Sequence, residues 1–446
     1  MILIIGAGPA GLAAAKEIAS HAVHVTVIDS APRMGGQYWR HRTTVTGYKS
    51  ARSQDYFTAL SENSFVTFIF GAQVWSGSSQ GGKIALNYIK DGIDQSIAGE
   101  KLIIATGAYD RTLPFPGWDK AGVMTAGGSQ ALLKGQGVLP GKRIVISGTG
   151  PFLLPVATGL AEAGAEVVAI LEANSPLRWA LSPAALLRNP GKLLELIYYF
   201  KKLREFSLKP RFGSTVTSFE GGVAQVARID SQLRIGKKTP QSIECDVVAI
   251  GWGFTPDVTI GGIFDCKQTL AADNSVVFEV DSHQKSSVPG IWIAGEATGV
   301  GGADLALIEG EIAGRSVCGY GPTMRQRFTR SNKKSFARAL LRSYPIRKGW
   351  LTWLRDDSLL CRCEEVSLGD IHNSVIELGA DDVRTAKLFT RAGMGLCQGR
   401  VCARNVSDAV SSVTGCPISE QSRIASSNRP ISAPITLGQL ARGKKG

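Results

Sequence analysis

Cys361-Arg362-Cys363 and Cys397-Gln398-Gly399-Arg400-Val401-Cys402 set four thiols in two close pairs, with residues 364–396 between them. Two such pairs can converge on one small inorganic centre, because a short spacing lets one loop supply two ligands. Gly393, Gly395 and Gly399 give the second loop the backbone freedom to fold around that centre and aim amides at its sulfurs. Four thiolates suit an iron–sulfur cluster or a structural zinc ion; four unrelated buried thiols are the third reading. Zinc knuckles pair their cysteines as C-x2-C. The C-x-C and C-x4-C spacings depart from that habit and favour a 2Fe–2S cluster.

A second group of residues could hold a dinucleotide. Gly6-Ala7-Gly8-Pro9-Ala10-Gly11 follows the apolar run Ile2–Ile5 and opens a helical pattern from Leu12 to Ser20. Gly6 allows the tight turn, Gly8 lets the backbone approach a pyrophosphate, and Gly11 permits close helix–strand packing. The amides at the helix start face the anion. Asp29, closing the run Val23–Ile28, can accept from ribose hydroxyls and disfavours a 2′-phosphate, so NADP is not the expected occupant. Met34-Gly35-Gly36-Gln37-Tyr38-Trp39 lies just beyond, where FAD enzymes thread a glycine-rich loop along the pyrophosphate. Ala294-Gly295-Glu296-Ala297 resembles the second FAD fingerprint, with glutamate where aspartate is usual. Thr106-Gly107, in the turn closing the strand from Lys101, joins this set. Together these elements favour FAD over NAD at the first turn.

A similar turn, Gly148-Thr149-Gly150-Pro151-Phe152-Leu153, follows Arg143–Ser147, and Glu172 closes the strand that begins at Glu166. Leu153 stands where a third glycine belongs, which is expected to force the helix away from its strand. NAD or another adenine nucleotide is the candidate occupant, held by Gly148, Gly150 and Glu172; a retained fold with an empty site is the alternative.

These motifs need two doubly wound α/β nucleotide-binding domains and a small cysteine module. The expected boundaries are 1–115 with 255–323 for the FAD domain, 116–254 for the second domain and 324–349 for a basic connector. The cysteine module then spans 350–415, and the Ser/Pro-rich residues 416–446 form an extended tail. Leu193, Leu194, Ile197, Phe200 and Leu203 recur at helical spacing and read as a core face, with a partner-binding helix as the lesser reading.

The 446 residues carry a formal net charge of +13. Much of that is local: residues 325–348 hold nine Lys or Arg and no acid, and Arg442, Lys444 and Lys445 add to it. No reading helix or aromatic platform runs in register with the charge, so nucleic acid is not an expected partner. A solvated basic connector is the first reading and a docking surface for an acidic partner the second; as a helix the connector could lie on the first domain. No run of eighteen apolar residues appears, so no transmembrane segment is expected, and the glycine turn follows the first strand too closely for a cleavable leader. Cytoplasmic residence is the expectation, with a peripheral place on the inner face of the membrane as its variant. Cys245, Cys266, Cys318 and Cys416 stand alone and read as packing residues. No cysteine pair lies in either nucleotide domain, which excludes the dithiol shuttle of disulfide reductases. The five histidines show no ligand spacing, and no hydrolase triad appears.

Leu360-Cys-Arg-Cys-Glu-Glu-Val366 and Thr390-Arg-Ala-Gly-Met-Gly-Leu-Cys-Gln-Gly-Arg-Val-Cys402 resemble the BFD-like (bacterioferritin-associated-ferredoxin-like) 2Fe–2S domain, a resemblance that implies a small helical cysteine module. Ala105-Thr-Gly-Ala-Tyr-Asp-Arg-Thr-Leu-Pro-Phe-Pro-Gly-Trp118 and Gly122-Val-Met-Thr-Ala-Gly127 resemble a narrower group. It comprises the FAD-binding subunits of opine oxidases, hydrogen cyanide synthase and hydroxyproline or proline dehydrogenases. The resemblance implies an electron-transfer subunit with FAD and 2Fe–2S. Its implied partners are an amino-acid-oxidase-like catalytic subunit, an electron carrier and, as a further candidate, a small 2Fe–2S subunit. Such an assembly dehydrogenates an amine or N-substituted amino acid at a carbon beside nitrogen. A stand-alone NAD(P)H-dependent acceptor reductase is the alternative reading, and an iron–sulfur sensor or scaffold the third. The substrate pocket would lie on another polypeptide, so no catalytic acid or base is assigned.

Overall fold

The computed structural model describes residues 1–42 and 51–442, so Lys444 and Lys445 lie outside the described residues. The chain forms two compact units. The first comprises Met1–Tyr109, Pro256–Ala337 and the residues from Asn428 on; the second comprises Asp110–Thr255 and Arg338–Ser427.

In the first unit, five parallel strands lie in the order Ile291–Ile293, Lys101–Ile104, Ile2–Ile5, Val25–Asp29 and Val66–Phe70. The three central strands are almost continuously apolar and buried, as a parallel sheet covered on both faces demands. Helix Pro9–Ser20 starts with proline in its first turn, where the missing N–H costs nothing, and packs against helix Ala303–Val317. A three-stranded antiparallel sheet, Ala72–Gln80, Lys83–Lys90 and Ile93–Gly99, completes this unit.

The second unit repeats the plan with strands Pro210–Phe212, Glu166–Glu172, Arg143–Gly148, Val247–Gly251 and Val123–Thr125 in parallel order. The expected α/β class with two doubly wound domains is borne out. The cysteine module belongs to this unit. Hairpin strands Leu359–Cys361 and Val366–Ser367 lead into helices Leu368–Ile376, Val383–Thr390 and Ala403–Thr414. Local chemistry sets their ends: Ser367 and Asp370 form a capping box, and Asp382 accepts from the Thr385 amide. One apolar core runs from Leu113, Phe115 and Trp118 through Trp252 and Trp353 to Leu360, Cys361 and Val406.

Two expectations need correction. Leu193, Leu194, Ile197 and Phe200, on helix Pro190–Glu205, are exposed; only Leu203 is buried. The period told which residues share a face, but not that the sheet is already covered by helix Leu153–Glu162. The tail is not a plain extended arm either. Glu420–Ser427 and Leu437–Ala441 are helical, the latter opened by a Thr436–Gln439 capping box. Ser432 donates its amide to Trp75 O at 2.7 Å and its hydroxyl to Val74 O at 2.7 Å, an edge pairing invisible to composition.

Candidate redox centres

At the first glycine turn, a Cβ on Gly6 (φ +104°) would stand 2.3 Å from Ala105 O, and one on Gly11 would stand 1.8 Å from Gly6 O. Both contacts forbid a side chain and hold the helix start against its strand. Gly8 is different: among the described residues a Cβ there would meet only Gly36 Cα, at 4.0 Å, so the turn's outer side admits a ligand. Gly36 (φ +58°) lies over it, and a Cβ there would come within 2.8 Å of Gly8 Cα. Gln37 is exposed and Ala10 is buried. Asp29 accepts from the amides of Ala7 (2.5 Å) and Ala31 (2.6 Å). Burial pushes its carboxyl up, while those amides and the charge of Arg40 pull it back. Arg40 Nε is buried and has no hydrogen-bond partner among the described residues. A buried guanidinium Nε without a partner, near the carboxylate that closes the second strand, fits a ribose-phosphate ligand such as FAD. Thr106 donates to Asp257 O at 2.8 Å, and Asp257 donates its amide to Gly107 O at 3.0 Å, fixing the turn behind the cradle.

Gly295 and Glu296 sit on a short 3-10 turn, where burial pushes the Glu296 carboxyl up to about 7 against the pull of the Gly302 amide. The sequence reading missed the acid that holds this turn. Glu309 is fully buried and accepts from the Gly295 amide at 3.2 Å and the Thr298 hydroxyl at 2.9 Å. Its other oxygen faces Arg330 Nε at 3.4 Å and Lys334 Nζ at 3.5 Å, both on helix Met324–Ser343. The basic stretch is thus in part a counter-charge to a buried carboxylate. The available signal was an acid on the apolar face of Ala303–Val317, among Leu305, Ala306, Ile312 and Ala313.

At the second turn, Gly148 (φ +153°) leaves no room for a side chain, since a Cβ would lie 1.9 Å from Gly251 O, whereas Gly150 is open. Leu153 is buried in the domain core rather than clashing, because the residue facing it is Gly251; a Cβ there would come within 2.9 Å of Leu153 Cδ2. Glu172 accepts from Thr149 Oγ1 (2.6 Å) and the amides of Gly150 (2.8 Å) and Asn174 (2.8 Å). Burial pushes its carboxyl up to about 7, with those three donors opposing.

The structure brings the four cysteines together. Cys402 contacts both Cys361 and Cys397, and Cys363 contacts Cys397. The side-chain contacts of Cys402 with Cys361 and Cys397 hold the Cys402 thiol far up and bring Cys361 down to about 6 and Cys397 to about 5. Backbone amides of Gly393, Cys363 and Glu364 reach Cys361, and those of Gly399 and Val401 reach Cys397. Gly395 packs so tightly on Cys363 that a Cβ would lie 2.2 Å from Cys363 Cβ. The sulfur contacts run in the order Cys361, Cys402, Cys397, Cys363. Thiolates bound two to each iron, with amides aimed at them, are what a 2Fe–2S cluster requires. By contrast Cys245 is isolated, and burial pushes its thiol up to about 11.

The two narrower sequence motifs acquire a structural meaning here. Asp110 takes the Thr125 hydroxyl and the amides of Gly127 and Gly128, so the first motif caps the helix opened by the second. Trp118 is buried and donates its indole N–H to Leu359 O at 2.6 Å, while the Arg362 guanidinium lies 5.1 Å over its ring. Trp118 therefore seats the first cysteine loop. Trp118→Phe, which removes that hydrogen bond, is expected to destabilise the second unit by about 1 kcal/mol and to broaden the reduced-cluster paramagnetic signal with flavin content unchanged. Urea unfolding and low-temperature spectra check this.

The family model described as pyridine nucleotide-disulphide oxidoreductase matches residues 1–312, and that of the BFD-like 2Fe–2S binding domain matches residues 359–411. The chain belongs to the pyridine nucleotide-disulphide oxidoreductase family and carries a BFD-like 2Fe–2S binding domain. Within that family it is similar to an opine oxidase subunit of Rhizobium meliloti (strain 1021), 30% identical across 98% of each chain. The HcnB subunit of hydrogen cyanide synthase from Pseudomonas aeruginosa is 30% identical across 93% of each. The crystal structure of L-proline dehydrogenase from P. horikoshii shares the fold, with TM-score 0.68 at 19% identity over 99% of this chain and 79% of that one. The resemblance drawn from the sequence is borne out. No helix among the described residues is long and apolar enough to cross a membrane.

Proposed function

We propose that this chain is the electron-transfer subunit of a heteromeric dehydrogenase that oxidises an amine or N-substituted amino acid. The observation that carries this reading is the convergence of Cys361, Cys363, Cys397 and Cys402, fed by backbone amides, in a chain whose first glycine turn is open at Gly8. The relatives named as subunits of an opine oxidase and a hydrogen cyanide synthase support it. When bound, FAD takes electrons in pairs and a 2Fe–2S cluster hands them on singly, which joins amine oxidation to a one-electron carrier.

The chain's residues have distinct tasks. The turn Gly6–Gly11, with Pro9 and Ala10 at the helix start, receives the pyrophosphate, and Asp29 accepts from the ribose hydroxyls with its remaining lone pairs. Gly36 and Gln37 border the phosphates. Thr106-Gly107 and Gly295-Glu296 complete the floor, where a Glu296 carboxyl pushed up to about 7 adds little charge against an anionic ligand. Cys361, Cys363, Cys397 and Cys402 ligate the cluster. The dehydrogenating site is on an amino-acid-oxidase-like partner, and a small 2Fe–2S protein is a further member of the complex. The complex works in the cytoplasm.

The test is reconstitution. The chain alone is expected to reduce no dye with opines, proline, hydroxyproline, sarcosine or glycine, and to do so once the oxidase-like partner is added. Amine-dependent dye reduction by the chain alone would refute its role in a larger assembly.

A further inference from the structure

The end of the basic connector does something at the second glycine turn that nucleotide binding leaves no room for. In a doubly wound domain, the acid closing the second strand and the loop beyond it face the adenosine ribose. Here those groups are Glu172 and Asn174. Asn174 is buried, and its side-chain amide donates to Thr149 Oγ1 at 2.9 Å and to Pro345 O at 3.2 Å. It thereby ties the middle residue of the glycine turn to the connector. The neighbouring Tyr344 is close enough to Glu172 to feel its charge, and its hydroxyl accepts from Trp179 Nε1 at 3.1 Å. Trp179 also packs edge-on against the Tyr344 ring, at 6.2 Å between centroids. One residue further back, Arg178 Nη2 donates to Arg342 O at 3.5 Å. Tyr344, Pro345, Glu172, Asn174 and Thr149 all belong to the second unit.

We propose that Tyr344 and Pro345 occupy the ribose end of the second site, so that the turn seats the chain's own connector instead of a dinucleotide. The phosphate end beside Gly150 stays open, but an adenine dinucleotide must engage both ends. Glu172 receives three donors from its own loop, which leaves about one of its four acceptor sites for a ribose hydroxyl. Burial, with the Glu172 carboxylate adding to it, pushes the Tyr344 phenol up to about 12, so it stays neutral beside that carboxylate. A nucleotide could bind only after the segment leaves, and its apparent affinity would fall by the fraction of chains in which it has left. Electrons then do not enter from NADH.

The experiment uses the full chain with flavin and cluster in place, and NAD and NADH as probes. Saturable NAD binding is expected to be absent up to about 1 mM, and NADH to leave the flavin oxidised on the timescale of turnover. Hydrogen exchange over residues 342–348 is expected to be slow and unaltered by NAD. A variant with both Tyr344→Gly and Pro345→Gly is expected to bind NAD at least about tenfold tighter than the parent. The proposal is overturned if the parent chain binds NAD below about 0.1 mM, if NAD alters exchange at 342–348, or if NADH bleaches the flavin within seconds. The exchange and bleaching measurements need no variant. Neither depends on which amine is oxidised: NAD binding without flavin bleaching overturns this proposal alone, and failure of the reconstitution leaves it standing.

Discussion

Cys402→Ser will empty the cluster site and leave the flavin bound. Cys402 is the buried sulfur that touches both Cys361 and Cys397, so it stands at the junction of the two cysteine loops. A serine hydroxyl is a poor ligand for iron, and it removes the sulfur that touches both loops. Loss of an outer partner alone commonly costs about 10–100-fold in metal affinity, and loss of a ligand will cost more. The expected result is acid-labile sulfide below about a tenth of the parent value, with amine-dependent reduction of a one-electron carrier by the reconstituted complex falling at least as far. Cys245→Ser is the matching control, because that thiol is buried and apart from the cluster. Sulfide assay and paramagnetic resonance after dithionite decide the outcome. A Cys402→Ser protein that keeps full cluster and full electron flux would remove the basis for the cysteine assignment.

The parts legible in the sequence were those in which chemistry and local backbone need coincide. Gly6 and Gly11 could be read because strand, turn and helix follow each other within a dozen residues. The cysteine spacing could be read because each loop supplies two ligands locally. What stayed hidden was long-range. The exposure of Leu194 and Ile197 depends on a neighbouring helix having already covered the sheet. The capping of helix Ala126–Gln136 by Asp110 joins two motifs that look independent in sequence. Leu153 looked like a defect until Gly251, nearly a hundred positions away, proved to face it. Trp118 likewise looked like part of a flavin-domain signature, yet its indole bonds the residue two before Cys361. The charge of residues 325–348 was visible, but its purpose was not, because Glu309 lies on a different helix.

That buried carboxylate carries the second large expectation. Glu309→Ala leaves the Arg330 guanidinium, 12% exposed, without its anion, and leaves the Gly295 amide and Thr298 hydroxyl without their shared acceptor. Breaking a buried ion pair from one side costs about 3–5 kcal/mol. Arg330 keeps Gln284 Oε1 at 2.5 Å and Ser282 O at 3.4 Å, which places the loss near the lower end, about 3 kcal/mol. Glu309→Gln retains an acceptor for Gly295 and Thr298 but not the charge, so it should lose less. The first unit is where this will register, and flavin release should follow, because the turn Glu309 holds is the one bearing Gly295 and Glu296. Urea unfolding followed by flavin fluorescence is expected to show the alanine variant unfolding first, then the glutamine variant, then the parent. If the alanine variant matched the parent in both midpoint and flavin content, the first unit would not depend on this charge, and the basic helix would have to be explained by an external partner.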